Sequence, residues 1–181
     1  MAKPKIVVSR KPPASIDRLI EEGDTWVWEE DRPIPRELLL EKIADAEGLF
    51  TMIPDPIDEE LLGAAPKLRV VSTMAVGVDN IDVKACTARG IPVGFTPGVV
   101  TEATADMAFA LILSLSRRIV ESVAVVRTGE WKAWSPSLMI SNDVFGKTLG
   151  IYGMGRIGQA VARRARGFDM PLLYHNRKPD P

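Results

Sequence analysis

Cysteine and histidine occur once each in the 181 residues, aromatic residues make up 6%, and the formal charges nearly cancel at a net −1. A single cysteine, Cys86, excludes an internal disulfide. It lies in the helical stretch DVKACTARG without neighbouring ligands, so it reads as a small packing residue in a protein suited to a reducing compartment, and no metal site is expected. A near-zero net charge gives no basic field to attract nucleic acid or an anionic membrane. The opening MAKPKIVVSR carries too short an apolar run for a signal peptide. The longest apolar run, Met107 to Ser116, falls well short of the roughly 20 residues that span a bilayer. Cytoplasm is therefore the expected location. Neither a tandem repeat nor a low-complexity segment is present. What remains, 46% apolar and 26% charged, is the composition of an ordinary globular protein.

The first hundred residues alternate short β-rich runs with helical stretches. KIVVS, TWVWEE, GLFTMI, LRVVST and IPVGF read as strands; SIDRLIEEG, PRELLLEKIADA, DEELLGAAP and NIDVKACTARG read as helices. Ser15 opens the first helix and Gly23 closes it, while Pro35 starts the second. Repeated β-α-β spacing, with strands apolar on both faces, predicts an open, flavodoxin-like α/β domain over residues 1–100: a parallel sheet covered by helices and joined by right-handed crossovers.

Residues 101–127, TEATADMAFALILSLSRRIVESVAVVR, predict one long helix, capped at Thr101 by an incomplete capping box. From Ala105 to Leu115 its apolar residues run nearly all the way round, which requires burial on more than one side. The arm that follows, 128–148, has no sustained period and carries Trp131 and Trp134, which need a partner surface if exposed.

The segment 128–181 also holds the start of a second domain. In TLGIYGMGRIGQAVARRARGF an apolar strand leads into Gly153, Gly155 and Gly158, spaced G-x-G-x-x-G, and an alanine-rich helix follows. That context marks the first βαβ unit of a Rossmann dinucleotide-binding domain. Gly153 permits the tight turn, Gly155 lets a pyrophosphate approach the backbone, and Gly158 lets helix and strand pack closely. Met154 completes the turn, and the amides of Arg156 and Ile157 at the helix start face the phosphate charge. The end of the second strand, LLYHNRKPDP, places Asn176 where an acidic residue would select NAD, followed by Arg177 and Lys178. An amide with two cations suits a 2′-phosphate, so NADP is the expected cofactor, with NAD as the alternative. The sole histidine, His175, sits at the adenosine end and is not read as a general base.

These stretches, with AVGVDNIDV (75–83), RGIPVGFTPGVVTEATADMAFALIL (89–113), RRIVE and GEWKAWSP, resemble the D-isomer-specific 2-hydroxyacid dehydrogenases, and among them the glyoxylate/hydroxypyruvate reductases. The resemblance runs through nearly the whole chain. It implies a substrate domain followed by a cofactor domain, with the active site in the cleft between them. It implies NAD(P)H-dependent reduction of a small 2-keto acid to the 2-hydroxy acid, and a homodimer formed through the 101–127 helix and the 128–146 arm. By position, Val76 and Gly77 would offer backbone amides to the substrate carboxylate, Met52 and Ile53 would line its pocket, and Thr101 would face the cofactor. The arginine, glutamate and histidine of the family's chemistry would lie beyond Pro181. No catalytic residue is therefore expected in this chain, which reads as a truncated piece. The alternative expectation is a non-catalytic dimerisation and nucleotide-binding module.

Overall fold

In the computed structural model, which describes residues 2–178, the alternation in the sequence becomes β1 (Lys5–Val8), α1 (Asp17–Glu22), β2 (Asp24–Val27), α2 (Arg36–Ile43), β3 (Gly48–Thr51), α3 (Glu59–Ala64), β4 (Val70–Thr73), α4 (Val83–Ala88) and β5 (Val93–Gly94). The strands pair in parallel in the order β2-β1-β3-β4-β5, as the flavodoxin-like expectation requires. These elements belong to the first of two compact units, Met1–Pro97 and Gly98–Pro181.

Register determines the core of the first unit. Val7 lies opposite Leu49, Leu49 opposite Val71, and Val71 opposite Val93, so one face presents a continuous apolar row. Leu39 and Ile43 of α2, Leu61 and Leu62 of α3, and Ala85 and Cys86 of α4 pack on that row. Each large side chain buried there contributes about 1.5–3 kcal/mol. Cys86 is fully buried, and burial pushes its thiol pKa up, with the Asp82 carboxylate acting in the same direction. The opposite face departs from the expected full cover. Of the first unit's helices, α1 reaches it through Leu19, and α1 buries no residue of its own. Pro4, Ile6, Leu19, Phe50 and Val70 line an open groove of about 540 Å³ there. Apolar strand residues on both faces are thus a correct reading of the sheet, but helix cover on this face is incomplete among the described residues.

The helix starts differ in how they are held. Ile16 occupies the N-cap position of α1 without a side-chain bond, while the Ser15 hydroxyl just before it accepts from the Asp17 amide at 3.2 Å, and Pro35 caps α2 from one residue outside it. Asp58 caps α3 by accepting from the Leu61 amide at 3.0 Å, and Asp82 caps α4 through the Ala85 amide at 2.9 Å. Arg36 of α2 also pairs with Asp58 and Glu60, joining α2 to α3. Burial alone would raise the Asp58 pKa, but the Leu61 amide and the Arg36 guanidinium hold it below the usual carboxylate range.

The second unit contains α5 (Thr101–Ser116), α6 (Ile119–Arg127), β6 (Leu149–Tyr152), α7 (Arg156–Ala165) and β7 (Leu172–His175). The single helix expected over 101–127 is broken. Arg118 adopts φ 51°, ψ 40°, a left-handed conformation that ends one helix and caps the next. For a residue with a Cβ that conformation costs about 1–2 kcal/mol. Several bonds offset the cost: the Arg118 guanidinium donates to Glu121 at 2.7 Å and to the Ile140 carbonyl at 3.2 Å, and its own carbonyl accepts from the Ser122 amide and hydroxyl. The expected cap also moves, because Val100 precedes the helix without a side-chain bond and Thr101 is the first helical residue.

Strands β6 and β7 pair in parallel. Ala105 and Phe109 of α5 pack against Ala160, Val161 and Ala165 of α7, and the Phe109 ring lies 5.3 Å from Phe168. Arg163 and Arg164 of α7 pair with Glu102 and Asp106 of α5 along the edge of this contact. Alanines at the seam let the helices approach, and the exposed ion pairs add little beyond orientation. Met107, Leu111 and Leu115 stay exposed on the other side of α5, with Trp131 and Trp134 exposed on the arm. Residues 179–181 of the expected 128–181 segment lie outside the described residues. Among those described, no helix is long and apolar enough to cross a membrane.

Replacing Asp58 with alanine is expected to lower the unfolding free energy by about 1 kcal/mol at pH 7. Because the folded-state pKa is depressed, this contribution is present above the unfolded value of about 3.9 and is lost as pH falls through the folded value. Urea denaturation of wild type and Asp58→Ala at pH 7 and pH 3 should show a difference that shrinks at the lower pH.

Candidate functional site

Parallel strands bring their C-terminal ends to one edge of the sheet, where ligands of open α/β sheets bind. Met52 and Ile53 follow β3 there, and Val76 and Gly77 follow its neighbour β4. The four residues are presented differently. The Met52 side chain is buried, whereas Ile53 is 66% and Val76 43% exposed. Gly77 is not among the glycines with positive φ. A Cβ on it would meet only Asp79 Oδ2, at 3.7 Å. Nothing in the folded chain therefore demands glycine at that position.

A network absent from the sequence reading fixes these loops. The Asp55 carboxylate is 3% exposed. It accepts from the Ser9 hydroxyl at 2.5 Å, the Thr51 hydroxyl at 3.2 Å and the Met52 amide at 3.1 Å. Asn80 donates from Nδ2 to the carbonyls of Met52, at 3.1 Å, and Asp55, at 2.8 Å. The Ile57 amide returns a bond to the Asn80 carbonyl at 2.8 Å, and the Met74 amide reaches the Thr51 carbonyl at 3.3 Å. The loop after β3 is thus clasped to the loop after β4. Buried polar atoms without partners also collect at this edge: Nε and Nη2 of Arg10, which follows β1, and the Thr73 hydroxyl at the end of β4.

In the second unit the glycine turn joins β6 to α7. Gly153 has φ 101°, a conformation open to glycine and strained for other residues. At Gly158 a Cβ would lie 2.2 Å from the Gly153 carbonyl oxygen, so only glycine lets α7 start this close to the turn. Gly155 has no such neighbour. It precedes α7, whose first turn has no side-chain cap, leaving helix-start amides without the usual partner. Arg156 is exposed and Ile157 is 37% exposed beside them. These features fit a diphosphate, which needs open backbone amides and room for its oxygens.

The end of β7 returns to this turn. Asn176 accepts, through Oδ1, from the Met154 amide at 2.7 Å, and the His175 carbonyl accepts from the Gly153 amide at 2.9 Å. Arg177 and Lys178 are exposed just beyond. The His175 ring stacks on Tyr152 at 5.1 Å. Thr101, at the start of α5, is half-buried, and its hydroxyl makes no hydrogen bond among the described residues.

With a flavodoxin-like unit followed by a glycine-turn βαβ unit in place, residues 6–169 match the catalytic domain of the D-isomer specific 2-hydroxyacid dehydrogenases, and the chain belongs to that family. It is 52% identical over 180 residues to a glyoxylate reductase of Pyrococcus furiosus, covering 97% of this chain and 54% of that protein. It is 50% identical over 184 residues to a glyoxylate reductase of Thermococcus gammatolerans, covering 99% and 55%. The chain thus spans about half the length of the curated relatives it matches. A crystal structure of a Thermus thermophilus protein superposes with a TM-score of 0.91 at 45% identity, covering 98% of this chain and 57% of that one. An NADPH-dependent glyoxylate/hydroxypyruvate reductase from Sinorhizobium meliloti, in complex with NADP and malonate, superposes at 0.77 with 32% identity, covering 99% and 55%. A D-lactate dehydrogenase from Aquifex aeolicus, complexed with NAD and lactic acid, superposes at 0.81 with 26% identity, covering 97% and 52%. Proteins of this fold therefore hold either form of the cofactor.

Removing the Asp55 carboxylate should release the loop clasp. Asp55→Ala leaves the Ser9 hydroxyl and the Met52 amide unpaired in a buried site, with the Thr51 hydroxyl kept only by the Met52 carbonyl at 3.5 Å, and is expected to cost about 3 kcal/mol. Asp55→Asn keeps one acceptor oxygen and should cost less. Urea midpoints of the two variants test this ordering, and equal losses would refute it.

Proposed function

We propose that this chain carries the substrate-binding and nucleotide-diphosphate-binding parts of an NADP-dependent 2-hydroxyacid dehydrogenase acting on glyoxylate or hydroxypyruvate. The observation that carries the reading is the glycine turn: a left-handed Gly153, a Gly158 pressed on its carbonyl, and an uncapped helix start. Identity near 50% to two glyoxylate reductases supports the choice of substrate.

In this reading the amides of Gly155, Arg156 and Ile157 take the diphosphate, with Met154 and Gly153 shaping the turn and Arg156 adding charge. Arg177 and Lys178 take the 2′-phosphate, and Thr101 faces the cofactor. The backbone at Val76 and Gly77 takes the substrate carboxylate, with Ile53 and the Met52 backbone beside it. Asp79, near Gly77, opposes an anion, so the amides must outweigh its charge. A bound nicotinamide would supply the hydride that reduces the 2-keto carbon. The sole histidine, His175, is stacked on Tyr152 at the end of β7, on the nucleotide side of this unit. That position supports the reading of the chain as carrying binding groups rather than the proton donor.

The same reading includes a homodimer through residues 101–146. Leu111 at 62%, Leu115 at 84% and Val120 at 75% exposure form an apolar surface unusual for a free monomer, and Trp131 and Trp134 are exposed as well. The protein is expected to sediment as a dimer, and Leu115→Glu combined with Val120→Glu is expected to give monomers. A wild-type monomer would refute the assembly.

Calorimetric titration tests the cofactor. NADPH should bind more tightly than NADH, and Arg177→Ala with Lys178→Ala should weaken NADPH by about 10–100-fold while changing NADH little. Failure of the unaltered chain to bind either nucleotide would overturn the proposal.

A further inference from the structure

In a dinucleotide-binding fold the residue that ends the second strand reads the ribose, and here that residue follows β7. Its side chain in this chain is already engaged elsewhere: Asn176 Oδ1 accepts the Met154 amide at 2.7 Å, and the bond is partly buried. One residue earlier, the His175 carbonyl accepts the Gly153 amide at 2.9 Å, extending the β6–β7 ladder into the turn. The Met154 carbonyl is held from the other side by Gln159 Nε2 at 3.3 Å. Both backbone groups of Met154 are thus bound by side chains, next to a glycine at φ 101° and above a glycine with no room for a Cβ.

An asparagine has one side-chain oxygen, whereas a carboxylate has two. A carboxylate at this position has an oxygen for the turn and another for a ribose hydroxyl. With its oxygen on Met154, the Asn176 side chain has only N–H donors left to offer. We infer that Asn176 is a positioning residue: it holds the diphosphate turn through the Met154 amide, serves NADH and NADPH equally, and leaves discrimination of the 2′-phosphate to Arg177 and Lys178. The inference rests on the nucleotide reading above, but it separates two jobs that the sequence assigns jointly to residues 176–178.

The test is titration of the full 181-residue chain with ADP, NADH and NADPH, together with amide hydrogen exchange at Met154. Asn176→Ala should weaken all three nucleotides by a similar factor, about tenfold, leaving the NADPH-to-NADH ratio unchanged. It should also speed Met154 exchange, since that amide loses its acceptor. Asn176→Asp should restore slow exchange, because a carboxylate oxygen accepts the same bond, while its charge moves preference toward NADH. Loss of NADPH binding alone, with ADP affinity and Met154 exchange unaltered, would overturn the inference. If the unaltered chain binds no nucleotide, the nucleotide reading fails by itself, and the exchange measurement still decides whether Asn176 holds the turn: faster exchange in Asn176→Ala supports it, and unchanged exchange refutes it.

Discussion

Parallel pairing is the constraint from which the other features follow. When every strand runs the same way, every strand delivers its C-terminal end to one edge, and each connection must return across a face. In the first unit this sets the loops after β3 and β4 side by side, because β3 and β4 are neighbours in register from Gly48 opposite Val70 to Thr51 opposite Thr73. In the second unit it sets the end of β7 beside the turn after β6, because Tyr152 lies opposite His175. Each candidate site therefore pairs a loop with a neighbouring strand end, and in each a side chain from one locks the backbone of the other.

Both locks are asparagine side chains, one donating and one accepting. Asn80 reaches carbonyls of the loop after β3, and Asn176 reaches an amide of the loop after β6. Loop backbone that leaves a sheet loses its ladder partners, and a partly buried group without a partner costs about 1–3 kcal/mol. A short amide side chain supplies the missing partner without adding charge. Asp55 does comparable work with a charge, which is tolerable in a buried site because three donors converge on it.

The element order was legible because it rests on local signals: apolar runs of strand length, helical periods, and Gly or Pro between them. The glycine turn was legible because its spacing encodes steric demands within six residues. The break at Arg118 was not. No glycine or proline stands between Leu113 and Arg127, and the left-handed residue is stabilised partly by the Ile140 carbonyl, distant in sequence. Asp55 and Asn80 were missed for the same reason, since their partners lie as far as 46 residues away in the sequence. The open sheet face was hidden too: strand residues reveal that a face is apolar, but not which helix lies over it. Asn176 was found by its position, and its partner Met154 could not be, because an amide hydrogen bond leaves no mark on composition.

Glycines make the contrast between fold and ligand sharper. Gly153 and Gly158 are explained within the chain, one by its backbone angle and one by the carbonyl it would strike. Gly155 and Gly77 are not explained that way, but neither are Gly63 within α3 and Gly150 within β6, which also have open space where a Cβ would stand. Lack of an internal reason therefore cannot by itself mark a site. What separates the first pair is location: Gly155 immediately precedes an uncapped helix start, and Gly77 lies in a loop at the strand-end edge, clasped to its neighbour. The proposed chemistry depends on an anion reaching the backbone at Gly155 and Gly77, where glycine keeps a side chain out of the way.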